Sequence, residues 1–154
     1  MRRKDREITG IGEIEVIISH ADICRIALTE NDVPYIVAMN FGYAGGEKKR
    51  LYFHCATEGR KIDMIRKNSY VCFQMDTDHR ITEGNEACDF SMSYSSVVGW
   101  GNISIIMDDL EKKEGLNSIM QHYTKRTGFI YKPDVFNRTI ILQLDIIKMS
   151  GKKA

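Results

Sequence analysis

Cysteine is scarce and scattered in this 154-residue chain: Cys24, Cys55, Cys72 and Cys88 stand singly, with no CxxC pair. Such spacing suits neither a zinc site nor the dense bridging of small secreted domains, so free thiols, no metal centre and a cytoplasmic setting are expected. Charge of one sign is also lacking. Lys and Arg total 22 against 21 acidic residues, a formal net charge of +1. That balance argues against nucleic acid or an anionic membrane as a partner, because either would call for a basic excess or stripe. No apolar run approaches the length of a bilayer span. The charged opening Met1-Arg2-Arg3-Lys4-Asp5-Arg6-Glu7 and the interruptions at Glu13 and Glu15 leave no signal-peptide core. A Rossmann-type glycine fingerprint is missing, so NAD(P)H would bind only transiently. There is neither an internal repeat nor a low-complexity segment.

What is present is a globular composition, 43% hydrophobic and 28% charged, of a size for one domain over residues 1–154, with residues 1–10 and 152–154 as loosely ordered ends. Ile14, Ile17 and Ile18 fall at helical spacing within Ile11 to His20. A buried strand over residues 23–29 reaches turn chemistry at Glu30-Asn31-Asp32, and a second strand runs from Tyr35 to Tyr43. After the charged loop Gly45 to Lys49 come a third strand, Arg50 to Cys55, and a fourth, Tyr70 to Met75, then a long polar loop from Thr77 to Asp89. Ser91 to Met107 reads as one long strand, kinked or bulged at Gly99-Trp100-Gly101. Asp108 can cap a helix carrying Leu116, Ile119, Met120 and Tyr123 at i, i+3, i+4 and i+7, and Thr139 to Met149 closes the pattern as a sixth strand. Six strands and three helices joined by hairpins predict an α+β, mainly β domain, antiparallel and barrel-like.

The most informative stretch is Leu51 to Asn68. An apolar and aromatic run suited to a strand passes through small and polar residues into helical spacing at Ile62 and Ile65. Thr57 can cap that helix and Gly59 lets a ligand approach the backbone. Arg60 and Lys61 put two cations beside free N–H groups at the positive end of the helix dipole, a ready phosphate site. Taken alone, the two cations read more readily as solvated helix surface, and it is the strand pattern leading into them that favours the phosphate site.

The tract YFHCATEGRKIDMIRKN, preceded by VPYIVAMNFGY and followed by SYVCFQMD, resembles the flavin-nucleotide-binding family related to pyridoxamine 5′-phosphate oxidase, and within it the nitroimidazole-resistance branch. The resemblance runs from Cys24 to Gly151 and ends on a Gly-Lys signature at Gly151-Lys152. It implies an FMN-binding split β-barrel with peripheral helices, paired as a homodimer with its sites at the interface. On that resemblance Val37, Ala38, Met39 and Asn40 line the flavin ring, His54 and Cys55 sit near its edge or ribityl chain, and Arg60 and Lys61 hold the phosphate. His54 is the group to position or protonate a substrate. Tyr94-Ser95-Ser96-Val97-Val98-Gly99-Trp100 matches the segment that reaches the partner subunit's flavin, which assigns Ser96 and Trp100 to the cofactor. Two departures stand here: Ser95 replaces a common arginine, and Trp100 an aliphatic residue. Cys55, near Arg60 and Lys61, is the cysteine that could have some thiolate character, but the sequence places no base to activate it and no thiol mechanism is expected.

The function implied is reduction of a small acceptor, such as a nitroimidazole or another nitroaromatic, by an FMN-dependent oxidoreductase. A flavin-binding carrier or sensor without turnover shares every cofactor residue and is the alternative.

Overall fold

The structure, a computed structural model, describes residues 3–154. Its frame is an eight-stranded antiparallel sheet that curls without closing, with the order β3-β2-β6-β7-β8-β5-β4 and β1 on β8. A 3-10 turn, Lys4–Arg6, leads into β1 (Glu7–Ile8) and α1 (Ile11–His20). The isoleucines that predict α1 from periodicity are its buried face, which packs on the central strands. β2 (Cys24–Glu30) turns into β3 (Val33–Met39) through Asn31 and Asp32, both at positive φ, the two-residue hairpin turn that matches strand twist.

The second expected strand breaks at Asn40, so that β4 (Phe41–Ala44) leaves β3 and pairs with β5 (Arg50–Ala56). α2 (Arg60–Lys67) packs on β2, and β6 (Tyr70–Thr82) pairs with β7 (Ser91–Ile106). Most of the expected Thr77 to Asp89 loop is therefore strand and short 3-10 turn. Its polar side chains carry no alternation because both faces of this arm are largely exposed; the ladder to β7 holds it, with the Thr77 hydroxyl donating to the His20 carbonyl at 3.3 Å. The bulge expected at Gly99-Trp100-Gly101 is present, but its extra residue belongs to β8 (Thr139–Lys153): Trp100 faces Lys148, Gly101 faces Ile146, and Ile147 has no partner.

α3 (Asp109–Thr124) starts as expected, with Asp108 accepting hydrogen bonds from the Leu110 and Glu111 N–H groups. A fourth helix, α4 (Pro133–Arg138), stands where the pattern shows only a loop. The ends also differ from expectation. β1 pairs with Gly151 and Lys152, and the Ala154 N–H donates to Tyr94, so both termini are tied into the sheet where each finds ladder partners; Met1 and Arg2 lie outside the described residues.

The core fills the concave side of the sheet with Phe41, Phe53, Phe73, Met75, Leu142 and Leu144 beneath α1 and α2. A smaller cluster of Tyr52, Ile106, Ile119 and Ile141 lies under α3. That helix comes so close to β4 that a Cβ on Gly42 would stand 2.4 Å from the Ser118 carbonyl carbon, so only glycine fits there.

Candidate functional site

Where β5 hands over to α2, the chain needs a sharp change of direction, and Gly59 supplies it at φ 126°, a region closed to other L residues. Gly59 is also the residue before the first helical turn; its carbonyl accepts from Ile62 N–H at 2.8 Å and Asp63 N–H at 3.2 Å, and no side chain caps the helix. Thr57 is thus not the cap expected of it, since it lies two residues too early. With no side-chain cap among the described residues, the Arg60 and Lys61 N–H groups keep capacity for an external acceptor.

Beside this corner lies a cleft of about 480 Å³. One wall is Val37, Ala38 and Met39 of β3 with Asn40 after it, another is His54, Cys55 and Ala56 at the end of β5, and Lys61 of α2 completes the motif residues. β3 terminates the strand order, so alternate N–H and C=O groups along it have no ladder partner. His54 shares the strand face of Tyr52 but is exposed, while Cys55 packs partly against the core. Burial pushes the Cys55 thiol up despite the opposing pull of Lys61, so thiolate character is not found.

Arg60 is not part of the lining. Its guanidinium lies 4.5 Å from the Tyr35 ring centroid, on the next inward-facing position of β3. At the far end of α2, Lys67 hydrogen-bonds Glu30, lowering the Glu30 carboxyl and raising the Lys67 ammonium. This ties the helix that carries Lys61 to the β2–β3 hairpin.

Ser96 and Trp100 are elsewhere in the chain's own fold. His54 lies opposite Ile141, which lies opposite Ile106. Trp100 and Ser96 are therefore roughly 20 and 33 Å further along β7 at a strand's rise per residue. Three cleft residues escaped the sequence reading, Ala56, Arg138 and Thr139. Thr139 pairs with Ala56 across the sheet, a register no single-strand pattern shows, and Arg138 ends the unforeseen α4. A larger cleft of about 580 Å³ lies over Ile11, Glu47 to Lys49 and the β8 bulge, but it holds none of the motif residues.

The sequence profile described as pyridoxamine 5′-phosphate oxidase matches residues 11–153. The chain belongs to that family. Among curated proteins, none matches it. Among solved structures, this family member is similar to a candidate 5-nitroimidazole antibiotic resistance protein from Bacteroides thetaiotaomicron, at 34% identity over 96% of this chain and 86% of that one, with a TM-score of 0.83. That agrees with the nitroimidazole-resistance branch resembled by the motif. More distant likenesses establish the fold alone. One is the flavocytochrome of Azotobacter vinelandii, at 18% identity over 100% of this chain and 72% of that one, TM-score 0.79. Another is an FAD-binding protein of Mesorhizobium loti, at 20% identity over 97% of each chain, TM-score 0.68.

Proposed function

We propose that this pyridoxamine 5′-phosphate oxidase family member binds FMN in the β3–β5–α2 cleft and reduces a small acceptor, such as a nitroimidazole or another nitroaromatic. The observation that carries the reading is the cleft itself, which collects an aliphatic strand edge, an exposed histidine and a lysine beside an uncapped helix start. Its residues fit the group. Val37 to Asn40 offer apolar side chains for a flat ring and unpaired backbone groups for its polar rim, while Lys61 and the first turn of α2 suit a dianionic phosphate.

When bound, FMN would supply the electron transfer. Lys61 would fix the phosphate as a point charge and leave the ring end to β3. His54, exposed beside that wall, would hold an acceptor and deliver a proton to it, a role needing hydrogen-bond reach rather than burial. Any NAD(P)H would bind transiently over the ring.

The reading includes a homodimer. Ile36, Ala27, Cys72, Trp100 and Lys148 are cross-strand partners in one row across the outer face of five strands, opposite the core. Ile36 is 65% exposed, and Ala27, Cys72 and Trp100 beside it are half-buried, an apolar strip that a second copy would cover. A second copy on this face would carry its Ser96 and Trp100 towards the cleft at the β3 edge.

Turnover is tested by photoreducing FMN-loaded protein without oxygen and mixing it with a nitroimidazole. Reoxidation faster than that of free reduced FMN is expected. A rate equal to free FMN contradicts the enzymatic part and leaves a flavin carrier or sensor.

A further inference from the structure

Among the described residues, Lys61 and Arg138 are the two cations lining the cleft, and no carboxylate lines it. They arrive from opposite sides of one cross-strand pair: Ala56 leads through Gly59 into Lys61, and its partner Thr139 directly follows Arg138. Two like charges drawn into one cleft favour an anion between them. On its own helix Arg138 donates from Nε to the Asp134 carbonyl at 3.1 Å, and its Nη2 lies 3.7 Å from the Asp134 carboxylate, an exposed i,i+4 pair. The rest of the guanidinium fork remains available.

The helix that presents Arg138 has six residues, and Phe136 is the buried one. It is held by Lys112 of α3, which is only 7% exposed. The Lys112 ammonium donates to the Phe136 carbonyl and lies 4.1 Å from the Phe136 ring centroid. A buried ammonium without a carboxylate partner is costly to desolvate, and the carbonyl and ring of Phe136 are what offset that cost. The bond fixes the backbone two residues before Arg138.

We propose that Arg138 is a second phosphate-binding cation of the cleft and that Lys112 is the positioning residue that sets it there. This rests on the flavin-nucleotide reading and assigns two further residues to it. FMN and riboflavin differ only in the phosphate, so the test compares both by fluorescence titration. R138A is expected to weaken FMN binding about tenfold while changing riboflavin binding less than about twofold. K112M, checked for fold by circular dichroism, is expected to weaken FMN selectively by about threefold or more, and to add nothing in an R138A background.

FMN binding by R138A at wild-type strength overturns the proposal. If K61A then still loses FMN selectively, the flavin reading survives without Arg138; if neither variant does, both fall. A K112M loss that is equal for FMN and riboflavin, or fully additive with R138A, overturns the positioning role. Should K112M not fold, K112Q, which keeps a donor of shorter reach and removes the charge, carries the same expectation at smaller size.

Discussion

Lys61 and Arg60 are neighbours in sequence but occupy different surroundings. Lys61 lines the cleft, whereas Arg60 lies over Tyr35. Replacing Lys61 with Ala should weaken FMN binding by one to two decades, the worth of a charge-assisted bond of about 1.5–3 kcal/mol. Arg60→Ala should cost distinctly less. Equal losses in titration would restore the simple basic pair read from the motif. His54→Asn should lower turnover by roughly 10²-fold and leave the FMN dissociation constant nearly unchanged, so stopped-flow and titration data separate its proton role from binding. Cys55, its thiol raised by burial, should alkylate more slowly than exposed Cys88 at pH 8, as mass spectrometry would resolve. At this scale the motif showed which residues share one cleft for Val37 to Asn40, His54, Cys55 and Lys61, but not for Arg60, Ser96 and Trp100, which do not line it. The Gly59 entry was not legible in the sequence: a threonine at the right composition does not show that the helix begins two residues later.

At the scale of elements, α2 owes its placement partly to the Glu30–Lys67 pair. The folded Glu30 carboxyl titrates below its ordinary value because Lys67 hydrogen-bonds it. The pairing therefore stabilises the fold above the unfolded value of 4.5 and is lost as pH falls through the lower folded one. Glu30→Gln should flatten that part of the acid decline in melting temperature; an unchanged slope would show that the pair contributes nothing. Gly42→Ala would push a methyl into the α3 backbone at 2.4 Å and should destabilise by about 1–3 kcal/mol or more in urea unfolding. Helices with isoleucine periodicity or an Asp cap, α1 and α3, were readable. α4 was not, because it has too few apolar residues for a stripe and packs against Lys112, a charged residue that pattern reading sends to solvent. The polar arm of β6 was hidden for a related reason, since pairing rather than burial makes it a strand.

For the whole molecule, hairpin-linked strands predicted an antiparallel barrel-like sheet, and an open antiparallel sheet is what forms. Register could not be read, and register decides that Trp100 and Ile36 share an outer row while Ser96 stays far from its own chain's cleft. Trp100→Glu with Ile36→Glu should convert a dimer to monomer in sedimentation equilibrium and weaken FMN binding with it. A dimer that persists would place the interface elsewhere. The most direct measurement is a crystal structure grown with excess FMN. The account predicts phosphate density against Lys61 and the first turn of α2, with the ring along Val37 to Asn40. Water alone at that corner, or flavin seated in the cleft over the β8 bulge, would contradict it.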